Sequence, residues 1–314
     1  MPLPTQNDVR PIDPVMTNLS VGFKNEAYFW DKLAPTVEVS QKSGTFFKWT
    51  KDYWLRREEG SSRAPGGPYT RVQHGVTTDT YDTQEEGFEE VVDDSIRKAS
   101  QTPEGLDVQA VRHLTTQMEL FLEKAVATEL WKTGVWGTDK TLAGNNQWSN
   151  SDSNPITEID SAIRIVKRNT GSKPDVLYVS GVVWDYLKEH TKIIEKYKYS
   201  QKAILTEELV AAALGLKKIY VMDSVENTAK EGLTYSGSDI WGKHALLTKE
   251  TRQPALNAPS GAYTFMWSDD GNTPWAMENY RDEPIRSDVH RIRTHLDIKV
   301  CASDWGYFFN NAVA

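Results

Sequence analysis

The chain has 314 residues and carries 36 Lys and Arg against 44 Asp and Glu, a formal charge of −8 that argues against a dedicated nucleic-acid binder with a broad basic face. Mean hydropathy is −0.56, no apolar run reaches the roughly 18 residues of a membrane span, and Met1 to Pro14 lacks the basic and apolar stretches of a secretion signal, so neither a membrane nor a secreted protein is expected. The single cysteine, Cys301, excludes an intrachain disulfide and any multi-cysteine zinc site.

Met1 to Asp13 holds Pro2, Pro4 and Pro11 without periodicity and reads as an extended arm that finds its hydrogen bonds on a neighbouring chain. Leu19 to Leu33 turns aromatic and apolar, which fits a short helix before Pro35. Val37 to Asp52 alternates as a strand does. Tyr53 to Gly75 contains Arg56, Arg57 and Arg63 and the turn Arg63-Ala-Pro-Gly-Gly-Pro68, the signature of a long hairpin with an exposed tip. After it, Asp79 to Asp94 is rich in Asp and Glu and has no Lys or Arg, so one limb is basic and the other acidic.

Leu106 to Lys132 is the most strongly helical stretch, with Val111, Leu114, Met118, Phe121, Leu122, Ala125 and Leu130 at three- and four-residue spacing; it would span about 40 Å. Gly144 to Pro155 reads as a junction. Pro155 to Lys249 alternates helix and strand: a helix with Ile156, Ile159, Ile163 and Val166 on one face, strand 175–180, helices 182–190 and 206–214, and strand 218–222. Val289 to Cys301 is a long strand that sets Ile292, Leu296, Ile298 and Val300 against Arg291, Arg293, Asp297 and Lys299, the latter face expected in solvent.

No catalytic, cofactor or metal site is expected. Gly237-Ser-Asp-Ile-Trp-Gly242-Lys243 fits a phosphate-cradling loop, but His244 replaces the magnesium-binding hydroxyl and a strand follows instead of a helix. The six histidines lack metal spacing, there is no G-x-S-x-G elbow, and the acidic run lacks the glycine and offsets of a calcium loop. Instead Trp30, Trp49, Trp54, Trp136 and Trp148 stand among polar residues, where contacts with other chains are the natural reading. The basic limb could serve as a nucleic-acid patch, yet Asp52, Glu58 and Glu59 dilute it and intersubunit pairing is preferred. The expected contact residues are Trp49, Trp54, Arg56, Arg57 and Arg63 on one side and Glu85, Glu86 and Glu89 on the other.

These parts, in this order, resemble the major capsid proteins of tailed bacteriophages, which have the HK97-type fold. The likeness is carried by Asn18-Leu-Ser, Phe46-Phe-Lys-Trp, Trp54-Leu-Arg-Arg, Arg63-Ala-Pro-Gly, Thr78-Asp-Thr-Tyr81, Val92-Asp-Asp94 and Thr133-Gly-Val-Trp-Gly-Thr138. Lys173-Pro-Asp-Val-Leu, Trp241-Gly-Lys-His-Ala-Leu-Leu and Asp304-Trp-Gly-Tyr-Phe-Phe continue it. The resemblance implies an α+β fold divided into an arm (1–35), an extended loop with flanking strands (36–98), a spine helix (99–135), an axial domain (136–261), long peripheral strands (262–301) and a C-terminal segment (302–314). It implies a structural protein that assembles with itself as pentamers and hexamers into an icosahedral shell around double-stranded DNA, without reading sequence. The shell would form in the host cytoplasm and belong to the virion. Nothing before Asn18 is long enough for a fused scaffolding segment, so separate scaffolding, portal or decoration proteins are expected, or a chain already processed. An encapsulin-like compartment is the nearest alternative, and a nucleotide-binding enzyme built on residues 155–249 the next.

Overall fold

The computed structural model describes residues 28–49, 55–57, 62–72, 75–99, 105–197, 206–230, 232–250, 260–268 and 274–314; the expected arm Met1 to Asp13 and Trp54 lie outside them. In chain order the helices are α1 (Trp30–Leu33), α2 (Asp94–Ala99), α3 (Leu106–Leu130), α4 (Pro155–Thr170), α5 (Gly181–Glu189), α6 (Thr191–Tyr197) and α7 (Glu207–Ala213). The strands are β1 (Thr36–Val39), β2 (Ser43–Trp49), β3 (Val76–Asp82), β4 (Gln84–Asp93), β5 (Thr138–Thr141), β6 (Val176–Ser180), β7 (Lys218–Met222), β8 (Val225–Asn227) and β9 (Gly237–Asp239). They continue as β10 (Ala245–Thr248), β11 (Ala262–Trp267), β12 (Ala276–Asp282), β13 (Ser287–Val300) and β14 (Tyr307–Asn310).

A five-stranded sheet is organised by β13, whose 14 residues give it two usable edges. One edge takes β4, from Ser287↔Asp93 to Leu296↔Gln84; the other takes β12 and then β11, end to end, and β1 adds to β11 in parallel. Against this sheet lies α3, which buries Val111, Leu114, Met118, Leu122, Val126 and Leu130, the stripe its three- and four-residue spacing requires. Ile292, Leu296 and Met277 meet it from the sheet.

The second sheet has the order β5-β14-β10-β6-β7 and is buried on both faces, which is why β6 and β10 read as unbroken apolar runs. Alternate residues divide between two cores. Tyr178, Leu246 and Phe308 join the cluster around α3, whereas Leu177, Val179, Leu247 and Phe309 join a cluster covered by α4, α5, α6 and α7. Local signals fix the helices: the Asn154 side chain accepts from Thr157 N ahead of Pro155, Gly171 closes α4 at φ 77°, and the Ser180 hydroxyl caps α5. Helices α2 and α6, of six and seven residues, carry too little periodicity to stand out in the sequence.

Three sequence expectations change. The long strand β13 has no solvated face at its centre: Arg293 is 8% exposed and His295 6%, because buried Glu278 accepts from Arg293 Nε at 2.6 Å and Trp267 packs edge-on against His295. The tryptophans Trp30, Trp136 and Trp148 are in this chain's own core, not on its surface. Two of their indole N–H groups are satisfied internally, Trp136 by Leu130 O at 2.7 Å and Trp148 by Glu158 at 2.9 Å, so polar sequence neighbours were no sign of exposure. Finally, the acidic run is not the second limb of the hairpin, as its position shows next.

Candidate assembly surfaces

Strands β2 and β3 form a separate antiparallel ribbon, in register from Ser43↔Asp82 to Trp49↔Val76. Its base is fixed to the first sheet. Tyr81 stacks on Phe265 with ring centroids 4.8 Å apart, Phe46 tilts onto the same ring, and Asp297 accepts from Asp82 N at 2.8 Å. Gly44 leaves room for Tyr81, whose hydroxyl would lie 2.6 Å from a Cβ there. Further out, Lys48 pairs with Asp79 at 2.8 Å; that hydrogen bond holds the Asp79 carboxyl below its ordinary value. Beyond the ribbon, the 62–72 segment turns at Ala64–Gly67, with Gly66 at φ 82° and Gly67 N donating to Ala64 O. Arg63 lies 4.5 Å above the exposed Tyr69 ring.

Only Asp79 and Asp82 of the acidic run belong to this ribbon. Buried Thr83 donates to Lys42 O through both N and Oγ1, and the chain then enters β4, where the remaining carboxylates stand beside β13. Several are neutralised there within the chain. Arg291 holds Glu89, and His113 contacts Glu90 at 2.8 Å. Arg281 binds Asp94 through both terminal nitrogens at 2.8 and 2.6 Å and reaches Asp288 at 3.2 Å; Arg97 links Asp288 to Asp107, which also contacts His290 Nε2 at 2.9 Å. Paired with Arg281, the Asp94 carboxyl is held below its ordinary value.

The sequence-derived contact residues therefore separate. Arg57, Glu85 and Glu86 are exposed and make no ion pair among the described residues, while Arg63 is engaged with Tyr69 and Glu89 with Arg291. Arg56 is exposed, and Trp49 ends β2. Among the described residues no ion pair joins Arg57 or Arg63 to Glu85, Glu86 or Glu89.

A second constellation went unread in the sequence. Glu123, fully buried on α3, receives four hydrogen bonds from three segments: Phe29 N and Trp30 N at 2.8 Å on Oε2, and Ser224 Oγ and Trp241 Nε1 at 2.8 Å on Oε1. It caps the first turn of α1 and ties it to the spine and to the second sheet's connections. Burial, outweighing these donors, raises its pKa. The available signal was Val111, Thr115, Glu119, Glu123 and Ala127, a four-residue row on the buried face of α3 that contains two carboxylates.

The phosphate-loop look-alike is explained by its surroundings. Gly242 turns at φ 57°, β10 follows, and Lys243 Nζ binds Ala314 O. Among the described residues no cluster of His, Cys, Asp and Glu is arranged to hold a metal, and no helix is long and apolar enough to cross a membrane. Burial pushes the Cys301 thiol up to about 12, where it is a poor nucleophile.

The family model described as "Phage major capsid protein E" matches residues 130–241, from the end of α3 to just before β10, taking in β5, β6 and β7 of the second sheet. The chain is 26% identical to a major capsid protein of Burkholderia phage BcepMu over 90% of its own length and 92% of that protein's. Among solved structures it is similar to a phage-related protein from Bordetella bronchiseptica, with 22% identity, coverage of 97% and 98% of the two chains and a TM-score of 0.75. It is also similar to the capsid of cyanophage P-SCSP1u, with 12% identity, coverage of 91% and 89% and a TM-score of 0.62.

Proposed function

We infer that this chain, a major capsid protein of the phage head with the HK97-type α+β fold, builds its shell by lending charge-segregated parts to neighbouring copies. The observation that carries this reading is the pair of unmatched surfaces: exposed Arg57 beyond the ribbon, exposed Glu85 and Glu86 at the start of β4, and no described partner for any of them in their own chain. In the assembled shell Arg56, Arg57 and Arg63, with Trp49 and Trp54, meet Glu85 and Glu86 of the next copy. Glu89, held by Arg291 of its own chain, strengthens the negative field there and makes no direct pair. Each exposed pair contributes at most about 1 kcal/mol, but the contact recurs at every subunit and steers docking.

On this reading residues 136–261 surround the five-fold and six-fold positions of pentamers and hexamers, and residues 36–135 with 262–301 form the periphery. The shell is icosahedral, encloses double-stranded DNA without reading its sequence, assembles in the host cytoplasm with separate scaffolding, portal or decoration proteins, and becomes part of the virion. Its role is structural. The test is Arg56→Glu with Arg57→Glu: the subunit keeps its circular dichroism and melting profile but yields no closed particles by sedimentation and electron microscopy. Adding Glu85→Arg restores part of the assembly. Normal shells from the double variant would remove the contact from the reading.

A further inference from the structure

In a chain of net charge −8, one region is strongly positive. Strands β6 and β7 begin, and β10 ends, at the same edge of the second sheet, since Val176 pairs with both Lys218 and Thr248. The carboxy-terminal turn of α4 reaches this edge too, because Gly171 and Ser172 lead directly into the start of β6. Topology thus gathers Lys167, Arg168, Lys173, Lys217, Lys218 and Lys249 at one end of the fold. All but the half-buried Lys249 are exposed.

The local carboxylates are turned inward. Asp175 Oδ1 accepts from Glu250 N at 2.8 Å, and Glu250, 7% exposed, accepts from Tyr220 Oη at 2.6 Å while touching Lys217 Nζ at 3.3 Å. The cations stay outside. Lys218 Nζ lies 4.1 Å over the Tyr220 ring, and Lys249 Nζ lies 5.4 Å over Trp305 and donates to Ser172 Oγ at 2.9 Å. Lys167, Arg168 and Lys173 make no ion pair among the described residues.

We propose that this end of the second sheet is where the shell wall meets the phosphate backbone of the enclosed duplex. The inference rests on the reading of the chain as a DNA-enclosing shell and goes further by assigning the contact. Spread over a helix end and the ends of three strands, the cations form a broad surface, which suits a line of phosphates spaced about every 1.7 Å of duplex axis. Contacts from lysine and arginine to phosphates carry no sequence information, so the contact proposed is one of charge. An acidic stretch of a neighbouring subunit is the competing occupant.

The experiment uses the full chain before assembly and a labelled 30-base-pair duplex of arbitrary sequence, followed by fluorescence anisotropy between 50 and 200 mM NaCl. The parent binds weakly with a steep salt dependence. Lys167→Gln, Arg168→Gln, Lys173→Gln and Lys218→Gln together lower affinity at least tenfold at 50 mM and flatten the log–log salt slope by about 3. Lys132→Gln with Lys230→Gln, which removes charge elsewhere, changes neither quantity appreciably. A parent that does not bind, or a quadruple variant that binds like the parent, overturns the proposal. A variant that still binds DNA but no longer forms particles gives the patch to a neighbouring subunit and also overturns it. Electron microscopy of the parent separates the two levels: particles with a negative DNA result sink only this inference, whereas no particles under any condition sinks the shell reading as well.

Discussion

Glu123 shows how much one side chain can hold. Its carboxylate has four donors and no cation among its hydrogen-bond partners, and burial raises its pKa above the ordinary 4.5. Because the folded protein binds this proton more tightly than the unfolded chain does, the ionised form costs stability above the unfolded value, and that cost disappears as pH falls through the raised pKa. Urea unfolding of the subunit is therefore expected to show the parent gaining stability relative to Glu123→Gln between pH 7 and about 4.5. Identical pH slopes for the two proteins would show that the Glu123 carboxyl binds its proton equally well in the folded and unfolded states, so that burial does not raise its pKa. The residue was half legible: its place on the buried row of α3 can be counted off, but its donors come from residues 93 to 118 positions away, which no local pattern reveals. Trp148 misled for the converse reason, since the Asn- and Ser-rich stretch around it reads as loop, and a loop can still carry a buried anchor.

Among elements, α3, β6 and β7 were readable because their period and apolar content are local. The pairing of β4 with β13, some 200 residues apart, was not, and this is why the acidic run was assigned to the ribbon. Nor does sequence order suggest that β14 lies between β5 and β10. The chain reaches β14 through a close approach at Trp136, whose ring leaves no room for side chains at Gly261 and Gly306: a Cβ on Gly306 would lie 1.9 Å from Trp136 Cε3. Since Trp136 is also held through Nε1 to Leu130 O, the ring cannot simply step aside. Gly306→Ala is expected to cost about 3 kcal/mol, the upper range for overpacking. Gly66→Ala, at φ 82° with open space around it, should cost about 1 kcal/mol. Equal losses in thermal melts would mean that Trp136 is more mobile than its contacts imply.

At the scale of the molecule, charge is sorted: acidic along β4, basic beyond the ribbon and at the lower edge of the second sheet. Exposed pairs are screened over about 8 Å at 0.15 M salt, so assembly followed by light scattering should lose yield as NaCl rises from 50 to 500 mM. Yield that holds steady or rises with salt would place the assembly energy in apolar contacts instead. A closed surface also needs its units to meet at more than one angle. The second sheet is clamped between two cores, one of which it shares with α3 and the first sheet, so the bulk of the subunit behaves as a stiff tile. The ribbon is different: it is bolted down at Tyr81, Thr83 and Gly44 and carries few core residues beyond them. On the shell reading, variation in dihedral angle from one position to the next falls on the ribbon, the part least tied to the subunit's core, a flange through which stiff tiles are joined.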